Sequence, residues 1–375
     1  MITRLEIENF KAIRKVAIDL TPLTVFVGPN DSGKTTILQA LHLLGESFSG
    51  RPWSSEAHSV FGLEPESYFF DRTLPIRISV ELAAGAPLEG TIRYTLGFQL
   101  VDGSFKAVEE RLSVGADEFL DGAGEQKRTP SKKGHWTGDV SLLREQQHLA
   151  DQEPYRTLRA SLRSFYAAFE PPKMVTPSEA DAQLVSSGAG LAGVLDRLLT
   201  SPERDVVMEK FNKALRRLSA NVHSIAMRPA QAGNAKGKEL LFTLPDRTTA
   251  VPAREASTGL VLVAGYLALM YGTRHRMFLI EEPENGVHPL AILTVVDLLR
   301  ELASSGRQVI ATTHSPVLLD YMEPEDVQIV TRRGSEGVQV TPMFKSRFFK
   351  EGTQRPDLGE LWYSVGDDAI ISTAS

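Results

Sequence analysis

The stretch GPNDSGKT, from Gly28 to Thr35, constrains the fold of this chain more than any other feature of its sequence. It matches the pattern G-x-x-x-x-G-K-[ST], which requires a tight glycine loop between a strand and a helix. Residues 23–27 can form the entering strand, and residues 36–44 have helical periodicity. This order predicts an α/β fold with a mixed sheet around the loop.

The loop is typical of a phosphate cradle. Backbone N–H groups and the positive end of the following helix surround phosphates, so we expect Lys34 to reach the β/γ oxygens of ATP and Thr35 to present its hydroxyl to Mg²⁺. A phosphate loop alone does not identify the function, because kinases, GTPases and motors share it. The predicted ATP-binding residues are Gly28, Asn30, Asp31, Ser32, Gly33, Lys34, Thr35 and Thr36.

Two later stretches predict the other half of the site. In RMFLIEEPENGVHP an apolar strand precedes two acids, of which Glu281 is expected to bind Mg²⁺ with Thr35, and Glu282 to orient or deprotonate the attacking water. In QVIATTHSP the strand ends at His314, which is expected to touch the γ-phosphate and sense hydrolysis. Together with Lys34, these two residues, Glu282 and His314, are the predicted catalytic groups.

The stretch REASTGLVLVAGYLALM allows two interpretations. Ser257 and Thr258 stand just before a helix start, where capping is the ordinary role of such residues. A helix start headed by Ser257 and Gly259 is also an anion site, able to receive a γ-phosphate offered by another subunit.

The hydrophobic patterns divide the chain into three predicted units. Alternating strands open the chain and return as an antiparallel meander from Ile76 to Leu120, and Gly115–Asp139 is predicted to be a long loop. Helical spacing runs from Ser141 to Leu218, after which strands and helices alternate. We predict an N-terminal ATPase lobe at 1–140, a helical lobe at 141–235 and a C-terminal ATPase lobe at 236–375.

Composition excludes several function classes. The 375 residues include no cysteine, which rules out a thiol nucleophile, a disulfide or a thiolate metal site. We expect a cytoplasmic protein without a signal peptide or membrane segment. The net charge of −6 argues against nucleic-acid binding by the whole surface. Local basic clusters occur at Lys127–Lys133, Arg216–Arg217 and Arg332–Lys350, although such clusters are more often an ordinary solvated surface than a binding site.

The order of these motifs resembles the head domain of ABC-type ATPases, specifically the RecF/SMC-like branch that includes the ATPase part of OLD (overcoming lysogenization defect) proteins. The likeness lies in the opening strands with the phosphate loop, in REASTG as a degenerate signature, in FLIEEPENGVHP as Walker B and D-loop, and in ATTHSP as H-loop. It implies a homodimer or higher homo-oligomer that encloses ATP between Lys34 and Thr35 of one subunit and Ser257 and Gly259 of the other.

Other family features are less well matched. Glu281 stands where an Asp is more usual, and the signature lacks its second glycine. Three residues, Gln99, Gln147 and Gln183, are unsupported candidates for the Q-loop glutamine. Lys11 sits where some relatives contact nucleotide. The acids after His314 do not fit a Toprim nuclease, so we expect no nuclease in this chain.

Two functions from different classes follow. The leading hypothesis is an ATPase whose ATP-driven closure acts on or senses DNA, in genome maintenance or antiphage defence, with a separate effector protein. The alternative is a nucleotide-gated module that assembles with a protein partner without binding DNA. A transporter motor and a small-molecule kinase fit the motifs less well.

Overall fold

The computed structural model describes residues 1–47, 70–83, 89–101, 104–123, 126–128, 152–219, 221–246, 250–345, 358–359 and 362. The strands are β1 Ile2–Phe10, β2 Ile13–Asp19, β3 Leu23–Val27, β4 Ile76–Ala83, β5 Thr91–Val101, β6 Ser104–Val114, β7 Asp117–Ala123, β8 Gln126–Arg128, β9 Ser164–Ala167, β10 Ser224–Ala232, β11 Ala235–Thr243, β12 Ala250–Pro252, β13 Met277–Glu281, β14 Gln308–Thr313, β15 Val327–Arg333 and β16 Gly337–Pro342. The α-helices are α1 Lys34–Glu46, α2 Tyr155–Leu162, α3 Pro171–Met174, α4 Leu191–Thr200, α5 Arg204–Leu218, α6 Thr258–Gly272, α7 Ile292–Ser304 and α8 Pro316–Leu319.

The central sheet carries the phosphate loop. Its strand order is β16-β15-β3-β14-β13-β9, parallel except for β16, which is antiparallel to β15. Every residue of β3 is buried, with Val25 and Val27 in one core and Phe26 in the other. Continuous apolar runs are expected where both faces of a parallel sheet are covered.

A second sheet covers one side of the molecule. Its order is β2-β1-β4-β5-β6-β7-β8, and all of its pairs are antiparallel. Helix α1 shares one core cluster with both sheets. The buried Gln308 of β14 joins them, because its side chain accepts a hydrogen bond from the Ile2 backbone N–H at 2.9 Å and donates to the Ile2 carbonyl at 2.8 Å. The predicted α/β fold with an antiparallel meander is thus confirmed.

The other face of the central sheet packs on helices. Helices α4, α5, α6 and α7 share a core cluster with β3, β13 and β14. A third sheet, β10-β11-β12, also contributes to this core. Its β10/β11 hairpin joins residues on the two sides of the predicted 235/236 boundary, and that boundary cuts β11 after Ala235.

Three sequence predictions were wrong in detail. Gly115–Asp139 is not all loop, because β7 and β8 lie within it as polar strands near the sheet edge; residues 129–139 lie outside the described residues. Phe165 does not continue a helix but lies in β9, since the helix α2 ends at Leu162. The stretch ELLFTL is the first apolar stretch of the predicted alternation of strands and helices after Leu218, but it lies in β11 of the antiparallel hairpin and not in the central α/β sheet. Local spacing does not reveal which strand partner is available.

Candidate nucleotide site

Three neighbouring parallel strands end together at the site. In the register of these strands Val27 of β3 pairs with Thr313 of β14, and Thr312 pairs with Glu281 of β13. The residues that follow the strands are Gly28, His314 and Glu282. Because ligands of open α/β sheets bind outside the carboxyl ends of the strands, this edge is the candidate site.

The phosphate loop is built so closely against β15 and β16 that only glycine fits at two positions. A Cβ on Gly28 would stand 2.1 Å from the Val330 carbonyl oxygen. A Cβ on Gly33 would stand 2.5 Å from Val338 Cγ2, and Gly33 also has a φ of 105°. Asp31 has a φ of 61°, in the left-handed region that short polar residues tolerate. At both glycines the loop backbone therefore lies directly against the neighbouring strands, β15 at Gly28 and β16 at Gly33.

The polar groups of this loop fit a phosphate ligand. Lys34 is buried, and its Nζ donates to the carbonyls of Gly28 and Pro29 at 2.8 Å each. The Oγ of Ser32 is buried without a hydrogen-bond partner in the described part of the chain. Thr35 is exposed at the first turn of α1. The ammonium group of Lys34, the Ser32 hydroxyl that lacks a partner there and the N-terminus of α1 can together bind an anion with several oxygens.

Two adjacent acids stand at the end of β13, Glu281 as its last residue and Glu282 directly after it. Glu281 Oε1 accepts a hydrogen bond from the hydroxyl of Tyr166 at 2.5 Å. Glu282 has a φ of 42°, and its backbone N–H donates to the Thr312 carbonyl at 3.1 Å. A positive φ at a non-glycine residue is uncommon and often marks functional sites. The two adjacent carboxylates thus have different partners, Tyr166 for Glu281 and His314 for Glu282.

His314 lies at the centre of the predicted catalytic groups. Its Nε2 is 3.4 Å from Glu282 Oε1. Burial lowers the pKa of His314 below its usual value, and the charge of Lys34 adds to that lowering. Glu282 and a hydrogen bond with the Gly28 backbone act in the opposite direction. The structure therefore brings together Lys34, Gly28, Glu282 and His314, which come from three different loops.

A third acid, Glu284, connects the loop after β13 to the loop after β14. Its Oε1 accepts hydrogen bonds from Thr313 Oγ1 at 2.5 Å and from the His314 backbone N–H at 3.2 Å. Burial raises the pKa of Glu284, whereas these hydrogen bonds lower it. The Tyr266 hydroxyl of α6 donates to the adjacent Pro283 carbonyl at 3.2 Å.

The residues predicted to meet a second subunit lie at the start of α6. Ser257 is the N-cap residue by position and is exposed, but its side chain makes no capping hydrogen bond. A Cβ on Gly259 would meet only Val287 Cα, at 3.9 Å. Gly286, by contrast, packs on Thr258, since a Cβ there would stand 2.6 Å from Thr258 Cγ2. The structure thus places Ser257 and Gly259 at an open helix start.

The residues that the sequence supports only weakly are Lys11, the candidates for the Q-loop glutamine and the basic clusters. Lys11 donates to Gln39 Oε1 of α1 at 2.7 Å, and burial lowers its pKa to about 8. Gln99 lies in β5 and Gln183 is exposed before α4, while Gln147 lies outside the described residues. In the basic clusters, Arg217 pairs with Asp297 at 2.7 Å and Arg332 with Asp31 at 3.1 Å.

Sequence reasoning missed Tyr166 and Glu284. Glu284 was visible as the third acid of EEPEN, but its contact with β14 depends on the sheet order. Tyr166 lies in the short stretch SFYA, whose alternating buried residues were interpreted as part of a helix. The role of Tyr166 requires knowing that β9 lies beside β13, and that of Glu284 requires knowing that β14 does.

A protein-family model described as "AAA domain, putative AbiEii toxin, Type IV TA system" matches residues 23–320. The chain belongs to this family. Its matched region contains the phosphate loop, the two acids at the end of β13 and His314. Membership confirms the ATPase type expected from the sequence, whereas the roles of individual site residues stay predictions.

Curated relatives agree with this family. The chain is 25% identical to the OLD nuclease of Thermus scotoductus over 367 residues, covering 91% of the chain and 64% of that protein. The chain therefore spans less than two thirds of the length of that relative. It is 52% identical to the DNA replication and repair protein RecF of Acinetobacter baylyi over 50 residues, covering 12% of the chain and 14% of RecF.

Solved structures share the fold. An SMC head bound to the C-terminal winged-helix domain of ScpA matches with a TM-score of 0.59 at 15% identity, covering 91% of this chain and 96% of that one. An SMC head with an extended coiled coil, bound to the C-terminal domain of ScpA from Pyrococcus furiosus, gives 0.56 at 14% identity, with coverages of 92% and 97%. The resemblance to ABC-type heads of the SMC, RecF and OLD kind is thus confirmed.

No helix in the part of the chain that the structure describes is both long and apolar enough to cross a bilayer.

Proposed function

We propose that this protein is an ATP-gated head that dimerises around two ATP molecules and acts on or senses DNA together with a separate effector. The observation that carries the dimer is the start of α6. Ser257 is exposed without capping its own helix, and among the described residues a Cβ on Gly259 would meet nothing nearer than Val287 Cα, at 3.9 Å. A helix N-terminus with free N–H groups favours an anion. The γ-phosphate bound by a second subunit is such an anion.

The proposed chemistry assigns one task to each site residue. The loop from Gly28 to Thr36 binds the phosphates, and Lys34 transfers its hydrogen bonds from the Gly28 and Pro29 carbonyls to phosphate oxygens. Glu282 orients a water for in-line attack and accepts its proton. His314, neutral at physiological pH, donates or accepts a hydrogen bond beside Glu282. The water adds to the γ-phosphorus, and ADP leaves.

Thr35 and Glu281 are the residues that would hold Mg²⁺, which would neutralise charge on the phosphates. A hydroxyl and a carboxylate are the oxygen ligands that this ion accepts in nucleotide sites. The exposed Thr35 hydroxyl and the second carboxylate oxygen of Glu281 fit that chemistry.

DNA is the favoured partner because one relative is named as a DNA replication and repair protein, RecF, and another as a nuclease, the OLD nuclease. Genome maintenance agrees with the name of RecF, and antiphage defence is the second role that we propose. The alternative is a nucleotide-gated module for a protein partner. It is supported by the similar SMC heads, whose structures contain a domain of ScpA.

The first experiment measures solution mass for wild type and Glu282→Gln, with and without Mg-ATP. We expect ATP to trap Glu282→Gln as a dimer or larger homo-oligomer, because nucleotide is bound but not hydrolysed. Ser257→Arg should abolish that assembly while a fluorescent ATP analogue still binds. Unchanged mass with ATP, despite measured nucleotide binding, would refute the dimer mechanism.

The second experiment separates the two partner classes. Binding of labelled duplex DNA by the trapped Glu282→Gln assembly is measured at about 50 and about 200 mM salt, since phosphate contacts weaken steeply over this range. Tight binding only with ATP, lost at the higher salt, supports the DNA function. No binding at either concentration, together with a protein that co-purifies only with the ATP-trapped form, supports the alternative.

A further inference from the structure

The edge strand β9 brings the hydroxyl of Tyr166 to Glu281, the carboxylate that we propose for Mg²⁺. β9 pairs in parallel with β13, and Tyr166 stands opposite Leu279. Glu281 is two residues beyond Leu279, so its side chain points to the same face of the sheet. The Tyr166 hydroxyl donates to Glu281 Oε1 at 2.5 Å. Hydrogen bonds to a charged acceptor are short and stronger than those between neutral groups.

Tyr166 is held in place by the helix that begins at the phosphate loop. Its ring lies 5.1 Å from the ring of His42 in α1, centroid to centroid, and packs against the core cluster that contains α1. In the bond to Glu281 the phenol is the donor and the carboxylate oxygen the acceptor. The position of the phenol is fixed by two elements, α1 and β9, that also flank the site.

The hydrogen bond from Tyr166 restricts the orientation of the Glu281 carboxylate. A carboxylate has two oxygens, and this bond engages Oε1, which restricts the rotation of the group and does not engage Oε2. Carboxylates that serve metals are commonly oriented by such outer hydrogen bonds, and loss of the partner typically weakens metal binding about 10- to 100-fold.

We propose that Tyr166 is a positioning residue that aligns the Glu281 carboxylate for Mg²⁺ in the nucleotide complex. This inference rests on the proposed role of Glu281 in Mg²⁺ binding. Tyr166 itself touches neither metal nor nucleotide, and it contributes through Glu281 alone. The competing explanation is that the bond only ties β9 to β13.

The chain offers a matched control. Tyr94, buried in the antiparallel sheet, also donates to a carboxylate, Glu110 Oε1, at 2.9 Å. Tyr94→Phe and Tyr166→Phe remove the same hydroxyl from the same kind of bond. Only the second bond belongs to the nucleotide site.

The experiment titrates Mg²⁺ against the binding of a fluorescent ATP analogue by wild type, Tyr166→Phe, Tyr94→Phe and Glu281→Gln, with EDTA as the metal-free reference. We expect Tyr166→Phe to raise the Mg²⁺ concentration at the midpoint about 10-fold, within the range typical of outer-shell partners. Its affinity in EDTA should stay within about twofold of wild type, and Tyr94→Phe should leave the midpoint unchanged.

Each other outcome has one meaning. If Glu281→Gln shifts the midpoint and Tyr166→Phe does not, the positioning role is refuted while the proposed metal residue stands. A Tyr166→Phe variant that loses affinity equally in EDTA and in Mg²⁺ also refutes the proposal, because its bond is then structural only. If Glu281→Gln itself leaves the midpoint unchanged, the metal assignment in the proposed function fails first.

Discussion

His314 Nε2 lies 3.4 Å from Glu282 Oε1, although the two residues follow different strands of the central sheet. The contact exists because β13 and β14 are parallel neighbours, so the residues after their ends meet. The pair combines a carboxylate that can take a proton with an imidazole that burial keeps neutral.

We predict that Glu282 and His314 act as one unit in hydrolysis. Glu282→Gln should lower phosphate release by about 100-fold or more, and His314→Ala by about 10- to 100-fold, with nucleotide affinity nearly unchanged. Residues that act as a unit give non-additive losses, so the double variant should lose less than the product of the two factors. Independent, multiplying effects would contradict this prediction. Single-turnover phosphate release and fluorescent-nucleotide binding are the measurements.

Two glycines should respond in opposite ways to the same added methyl group. Gly28→Ala places a Cβ 2.1 Å from a backbone oxygen, so we expect about 1–3 kcal/mol of destabilisation and loss of nucleotide binding. The Cβ of Gly259→Ala makes no contact closer than 3.9 Å, to Val287 Cα, so in a helix the change should stabilise the subunit by up to about 1 kcal/mol. If a second subunit approaches Gly259, that variant should still assemble less well with ATP. Urea unfolding and solution mass test both statements; normal assembly of Gly259→Ala would count against the dimer contact.

Glu284 should matter as an acceptor rather than as a charge. Glu284→Ala leaves the Thr313 hydroxyl and the His314 N–H without their acceptor, and we expect a loss of about 2–3 kcal/mol. Glu284→Gln keeps an oxygen in the same place and should cost less. Urea unfolding compares the two variants, and the rate of ATP hydrolysis should fall further in Glu284→Ala because His314 is displaced. Equal losses in both variants would mean that the charge of Glu284 matters more than its acceptor role.

The stability of the fold should decrease in mild acid partly through His275. Burial lowers the pKa of His275 from its usual 6.5 to about 4, and Arg163 and Arg307 add to the effect. Between these pH values the unfolded chain binds a proton that the folded chain does not, so stability falls as pH falls through this window.

His275→Phe removes the titratable imidazole and keeps an aromatic ring beside Phe165 and Phe278. We expect its free energy of unfolding to drop less than that of wild type between pH 7 and pH 5. The difference should be on the order of 1 kcal/mol, after allowance for partial exposure. Urea unfolding at the two pH values measures it, and parallel losses in both proteins would show that His275 does not contribute.

Local sequence determined the parts of this protein whose chemistry is contained in one segment. The phosphate loop needs glycine at Gly28 and Gly33 and a lysine at the helix start, so GPNDSGKT predicted β3, the loop and α1 together. The apolar runs before Glu281 and His314 likewise predicted buried parallel strands, because a strand covered on both faces is apolar throughout.

Tertiary structure alone decided which residues from distant segments meet. Tyr166 and Glu281 are 115 positions apart, and their bond depends on β9 pairing with β13 rather than continuing a helix. The hydrogen bonds between Gln308 and Ile2 span 306 positions, and nothing in the sequence around either residue indicates them. Strand propensity is a weak local preference that available partners override, so pairing is settled only when the sheet assembles. The sequence therefore carried the nucleotide chemistry, and the strand order decided which side chains support it.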